Sequence, residues 1–175
     1  MDRHCDHYRK VMDLPVDPSD KGAPGTEERL QFSGKLANKY VGDVLEIGPA
    51  NRAVTVHGVL FDINKKFLMS YPGRERIQGD FTYLPFRDSS FDVVVWLEGP
   101  EHSMCPDIVL QQIKQLLRDG GHLIVSCPES PFLDDDWQHV THFKEHDLYT
   151  LLSKYFTVLN LHRVSRFLIG ECVKI

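Results

Sequence analysis

The sequence predicts an α/β fold: an open, mostly parallel twisted sheet that closes with an antiparallel C-terminal strand hairpin. Three observations predict it. The runs VLEI (44–47), GVLF (58–61) and DVVVWL (92–97) are short and mainly apolar on both faces, the pattern of strands buried in a parallel sheet. Between and after such runs lie segments with apolar residues at helical spacing, punctuated by Gly and Pro turns. Finally, residues 156–161 and 167–173 read as strands joined only by HRVSR, too short for a parallel crossover, so they are expected to pair antiparallel. At 175 residues, 42% hydrophobic and 26% charged, the chain is long enough for one domain with a full core.

In chain order, residues 1–25 mix His, Asp, Lys, Pro and Gly without lasting periodicity and are expected to form a flexible N-terminal arm; residues 26–175 form the domain. Thr26 is the expected N-cap of a first helix, with Glu27 and Glu28 suiting its dipole and Leu30, Ser33, Ala37 and Tyr40 on one face. After the first strand, Gly48-Pro49-Ala50-Asn51 makes a tight turn, and the second strand ends on Asp62. Only eight residues run from Ala50 to His57, fewer than the roughly ten to twelve of a crossover helix, so at most one helical turn is expected there. The sheet face left open is expected to be covered by the arm or by a second subunit.

Residues 65–69 begin a helix that Pro72-Gly73 stops, and Arg76-Ile77-Gln78 is a short third strand. The loop FTYLPFRDSS leads to the fourth strand. Pro106 and Asp107 open a helix carrying Val109, Leu110, Ile113, Leu116 and Leu117, which Gly120-Gly121 is expected to close before a fifth strand at 122–127. A long loop at 128–143, a helix at 145–155 and the hairpin complete the chain.

Composition narrows the function classes. The net charge is −5 and no dense Lys/Arg cluster occurs, which argues against a nucleic-acid partner. Cys5, Cys105, Cys127 and Cys172 are scattered without a CxxC pair, as expected of reduced thiols in a cytoplasmic protein. No stretch has the apolar core of a signal peptide or the ~20 apolar residues of a membrane span, so no membrane association is expected.

A strand, a small-residue turn and a second strand closed by an acid form the pattern that binds an adenosine-bearing cofactor, because the turn admits the ligand and the acid accepts from ribose hydroxyls. With VLEIGPANR, FDIN, GDFTYLPFRDSSFDVVV and LEGPEHSMCPDIVLQQIKQLLRDGGHLIVSCPE in place, residues 40–175 resemble a class I S-adenosylmethionine-dependent methyltransferase of the small UbiE-like, type 11-like kind. The resemblance implies S-adenosyl-L-methionine as cofactor and S-adenosyl-L-homocysteine as product. It implies cofactor-binding roles for Glu46, Gly48, Ala50, Asp62, Ile63, Asp80, Phe81 and Leu97, with Asp62 on the ribose and Asp80 on the adenine amino group. In this chain the family's G-x-G-x-G is G-P-A-N-R. Ala50 takes a left-handed conformation only at roughly 1–2 kcal/mol.

Methyl transfer requires no metal and no nucleophilic side chain; alignment and exclusion of water carry most of it. The expected acceptor is a small molecule, oxygen being its commonest methylated atom. His139 and His142, on the loop after the fifth strand, and His102, after the fourth, are the candidate catalytic residues, with Trp137 and Phe143 as apolar walls. His139, His142 and His146 lack a metal-ligand spacing, so no metal is expected. The chain is expected to be a monomer or a homodimer. Two other readings compete: a degenerate cofactor-binding module serving a partner protein, supported by Ala50 and Arg52, and a nicotinamide-dependent oxidoreductase, faintly echoed by GPANRA and Asp62.

Overall fold

The structure is a computed structural model that describes residues 23–132 and 135–175. Its strands are β1 (Val44–Ile47), β2 (Val59–Asp62), β3 (Glu75–Gln78), β4 (Phe91–Leu97), β5 (Leu117–Pro128), β6 (Thr157–Val164) and β7 (Phe167–Val173). They form one sheet in the order β3-β2-β1-β4-β5-β7-β6. The first five are parallel; β7 runs antiparallel between β5 and β6. The helices are α1 (Thr26–Ala37), α2 (Lys65–Met69), α3 (Pro106–Leu116) and α4 (Glu145–Ser153), with a 3-10 turn at Pro100–His102. No helix of the described residues is long and apolar enough to cross a membrane.

Alternation along the strands divides the core in two. Leu45, Ile47, Phe61, Val94, Trp96, Leu123 and Val125 face α3 and α4, where they meet Val109, Leu110, Ile113, Leu148 and Leu152. Val44, Val93, Val95, Ile124 and Ile169 face the other way, toward Ala37, Leu36 and Tyr40 at or just after α1. The first-helix stripe extends further toward the N-terminus than expected, with Thr26, Arg29, Ser33 and Ala37 its buried positions.

Two boundaries differ from the expectation. Thr26 does not cap α1; Gly25 does, in a left-handed conformation (φ 93°), and Thr26 is the first helical residue. The Gly120-Gly121 pair does not close α3. Leu117 is fully buried and pairs with Phe91, so the chain is already extended there and the glycines lie inside β5. Gly120 takes φ 77°, and the register with β4 shifts between Phe91 and Val93.

The β1–β2 connection holds no helix, and an ordered loop stands in its place. Val54 packs against the α1-side core, its carbonyl accepting from the Asn38 side chain at 2.9 Å. Arg74 ties the rest down. Its guanidinium donates to the carbonyls of Thr55 (2.9 Å), His57 (2.7 Å) and Gly58 (3.2 Å) and to the Thr55 hydroxyl (3.1 Å). The N-terminal arm invoked as a cover at 1–25 lies outside the described residues up to position 22.

At the far side of the sheet, Glu171 on β7 is 1% exposed and accepts hydrogen bonds from Lys39, from Tyr40 Oη at 2.6 Å and from Asn160 Nδ2 at 2.8 Å. Burial pushes this carboxyl up, but the three donors and the Lys39 charge outweigh it and bring it down to about 2.

Both clamps can be tested by substitution. Because Glu171 titrates lower in the folded chain than when unfolded, its stabilisation is present above about pH 4–5 and is lost as pH falls toward 2. Glu171→Gln is expected to lower stability by about 2 kcal/mol at pH 7 in urea denaturation, with the gap to the parent shrinking below pH 4. A gap independent of pH would disprove the ionic origin. Arg74→Ala is expected to lower stability by about 2 kcal/mol by orphaning the loop carbonyls. Arg74→Lys should recover only part of that, since an ammonium lacks the planar fork.

Candidate functional site

In an open parallel sheet, ligands bind beyond the carboxyl ends of strands where the strand order reverses. Here that point lies between β1 and β4, and a cavity of about 440 Å³ opens there, within the usual range for a small-molecule site. Among the residues that line it are Glu46, Gly48, Ala50, Asp62, Ile63, Phe81 and Leu97, with His102 and His139 on its wall as well. Two candidates from the sequence lie off it. One Asp80 carboxylate oxygen accepts from the Thr82 amide (2.8 Å) as the start of a turn, and its neighbours Gly79 and Phe81 border the cavity. His142 is exposed on the protein surface.

The first turn is built for close approach. Gly48 (φ 66°) and Ala50 (φ 47°) are both left-handed, so Ala50 does adopt the strained conformation that the sequence flagged. A side chain added at Gly48 would meet no atom within 4 Å, so it would project into the open cavity beside the turn. Asp62 reinforces the turn. One carboxylate oxygen accepts from the Ala50 amide (3.1 Å) and the other from Asn64 (2.7 Å). Burial pushes its carboxyl up and these amides pull it back. A carboxylate offers about four lone-pair sites, so two hydrogen bonds leave it capacity to accept from a ligand diol.

Glu46 is 2% exposed, and both oxygens serve the chain itself: they accept from Val54 N (2.8 Å), Thr55 N (2.9 Å) and Thr55 Oγ1 (2.5 Å). Burial raises its carboxyl and the Thr55 and Val54 donors lower it. It therefore holds the loop at 53–55 while lining the cavity.

The opposite end of the cavity is assembled from the loops after β4 and β5. The Glu101 carbonyl accepts from Val140 N (2.8 Å) and Thr141 N (3.1 Å), and the Ser103 carbonyl accepts from Thr141 Oγ1 (2.7 Å). This stitching brings His139 to His102, ring centroids 5.1 Å apart. The expected walls are elsewhere: Trp137 is 54% exposed and Phe143 packs in the core, while Ile47, Phe61, Phe67, Trp96 and Phe167 supply the apolar lining.

Several residues at this end were not identified from the sequence. Arg29 reaches in from α1, its guanidinium 5.0 Å over the Phe167 ring and Nε 3.8 Å from Glu98. It shares the helical stripe of Ser33 and Ala37, and that periodicity is the signal that could have found it. Glu98, left-handed at φ 50°, accepts from Ser126 Oγ at 3.0 Å; burial raises its carboxyl against the pull of Arg29 and Ser126. Glu101 is raised well above the ordinary range by burial first, with the Glu98 charge adding to it.

The cavity's size, its left-handed turn and the acid beside it fit a nucleoside-bearing ligand such as S-adenosylmethionine. Comparison with known proteins agrees. Over a 51-residue segment, 29% of this chain, the sequence is 41% identical to a Mycobacterium ulcerans protein named as a probable phthiotriol/phenolphthiotriol dimycocerosates methyltransferase; the match spans about a fifth of that relative's length. The fold matches the N-methyltransferase NodS of Bradyrhizobium japonicum in complex with S-adenosyl-L-homocysteine (TM-score 0.78, 16% identity, 99% of each chain). It also matches the [4+2]-cyclase SpnF (TM-score 0.70, 14% identity, 97% of this chain and 92% of that one). A family model described as a methyltransferase domain matches residues 30–125, more than half of the chain. The chain belongs to the class I S-adenosylmethionine-dependent methyltransferase family.

Proposed function

We propose that this chain transfers a methyl group from S-adenosylmethionine to a small-molecule acceptor, with oxygen the acceptor atom. The observation that carries the reading is one cavity lined together by the Gly48–Ala50 turn and Asp62, by His102 and His139, and by the apolar side chains of Ile47, Phe61 and Trp96. Asp62, Ile63 and Phe81 would hold the nucleoside, and the loop fixed by Glu46 and Arg74 would keep the turn in shape. When bound, the cofactor supplies a sulfonium-activated methyl group, so the chain needs chiefly to align the acceptor and exclude water. The apolar lining of Trp96, Phe61 and Phe167 does the second. Oxygen is favoured by the triol in the name of the Mycobacterium ulcerans relative and by two histidines able to receive or direct a hydroxyl proton. The names of the structural neighbours include an N-methyltransferase and a cyclase, so the acceptor atom follows from the polar end of the cavity rather than from the fold.

S-adenosylhomocysteine is expected to bind in calorimetry, and Asp62→Ala to weaken it at least tenfold, since a charge-assisted hydrogen bond contributes ~1.5–3 kcal/mol. Equal affinity of parent and variant would remove Asp62 from the site. Once an acceptor turns over, His139→Ala is expected to lower kcat tenfold or more with S-adenosylhomocysteine affinity within threefold, while the exposed His142→Ala keeps the parental rate. A chain that binds S-adenosylhomocysteine yet methylates nothing in an acceptor screen would instead fit a binding module serving a partner, the reading that the strained Ala50 favours.

A further inference from the structure

Behind the polar end of the cavity lies a carboxylate that the fold leaves unmatched. Glu101 is 1% exposed, and neither of its oxygens accepts a hydrogen bond from another described residue. An isolated buried carboxylate is among the most unfavourable groups a folded chain can carry. Close by are His102 and His139: a carboxylate oxygen of Glu101 and a ring nitrogen of each histidine all lie within 4.8 Å of one another. Two further carboxylates, Glu98 and Asp136, add charge of the same sign. Among the described residues, Arg29 is the cation that acts on Glu98 and Glu101, standing 3.8 Å from Glu98, and Asp136 adds a further carboxylate 3.9 Å from His139 Nε2.

The Gln138 carbonyl fixes the tautomer of the His102 imidazole. Its Nδ1 stands 3.0 Å from the Gln138 carbonyl, and since a carbonyl only accepts, Nδ1 carries the proton and Nε2 the lone pair. A backbone carbonyl fixing the far nitrogen is the usual outer support of a metal-bound histidine. We propose that Glu101, His102 and His139 form a binding site for a divalent transition-metal cation beside the acceptor. Two imidazoles and one carboxylate suit zinc first, with manganese held mainly through the carboxylate, whereas magnesium and calcium favour all-oxygen sets. Ligands about 2.0–2.2 Å from such an ion stand roughly 3–4 Å apart, so a small rotamer adjustment closes the triad.

Three protein ligands leave a coordination position open toward the cavity, which His102 and His139 line. An acceptor hydroxyl entering it would ionise more readily: the O–H bond breaks, its electron pair stays on oxygen and the proton leaves to bulk water. That consequence rests on the oxygen-acceptor reading above; the ion site does not. Residue spacing does not reveal this grouping, since Glu101-His102 and His139 meet only through the stitching of two loops, and the expectation of no metal is replaced by this proposal.

The test is calorimetric titration of the chelator-treated full chain with zinc chloride, manganese chloride and magnesium chloride, alongside a separate titration with S-adenosylhomocysteine. One equivalent of zinc or manganese is expected to bind, magnesium at least tenfold more weakly. Glu101→Gln and His139→Ala are expected to weaken zinc at least tenfold. Glu101→Gln should fold readily, because an uncharged amide of the same shape replaces a buried carboxyl that no other described residue hydrogen-bonds. Its metal-free melting temperature should equal or exceed the parent's while the rise that zinc gives the parent disappears. Absence of stoichiometric zinc and manganese binding in the parent, or undiminished zinc affinity in Glu101→Gln, overturns the proposal. Zinc binding without S-adenosylhomocysteine binding would sink the methyltransferase reading and leave the ion site standing; the reverse outcome does the opposite.

Discussion

The Glu46 carboxylate, sealed under the loop at 53–55, is the interaction on which the site depends. Where a parallel sheet ordinarily covers its face with a crossover helix, this chain has only eight residues from Ala50 to His57. Their amides would be left without partners in a loop laid over an apolar sheet, a severe cost. Glu46 answers two of those amides and one hydroxyl from within β1, and Arg74 answers three carbonyls from the other side. The result is a loop rigid enough to hold Ala50 in a left-handed conformation next to Asp62. A helix is replaced by an acid and a guanidinium, and the turn that faces the ligand keeps its shape.

The two ends of the cavity owe their chemistry to different causes. At the end formed by Gly48, Asp62 and Phe81, every group belongs to a strand or the residues just beyond it, so the sheet's own geometry fixes their positions. At the polar end, the loops after β4 and β5 carry the groups, and they hold each other through backbone hydrogen bonds from Val140 and Thr141 to Glu101. Around the same corner Glu101 and Arg29 are buried and Glu98 is partly buried. Strained backbone recurs there too, with Glu98 left-handed at φ 50° as the chain leaves β4.

The fold alone leaves the reaction open, as the similarity to both a methyltransferase and a [4+2]-cyclase illustrates. In this chain the polar end of the cavity carries the acidic and histidine side chains of Glu98, His102, Asp136 and His139.

Local residue pattern determined much of this protein. Apolar runs of four to seven residues, Gly and Pro stops, and a connection too short for a crossover are properties of neighbouring residues. The seven strands, the antiparallel hairpin and the candidates Gly48, Ala50 and Asp62 were therefore legible in the order of residues alone. The boundary at Gly120-Gly121 was not, because a glycine pair serves a helix end and a strand kink equally well until Leu117 is seen buried against Phe91. Tertiary structure alone decided that Glu46 holds a loop, that Arg29 lines the cavity, that Asp80 starts a turn beside it while His142 is exposed, and that Glu101 and His102 meet His139 across 37 residues of chain. Each of these depends on which segments the sheet order and the loop hydrogen bonds bring together. That information resides in long-range packing, which periodicity along a single sequence does not encode.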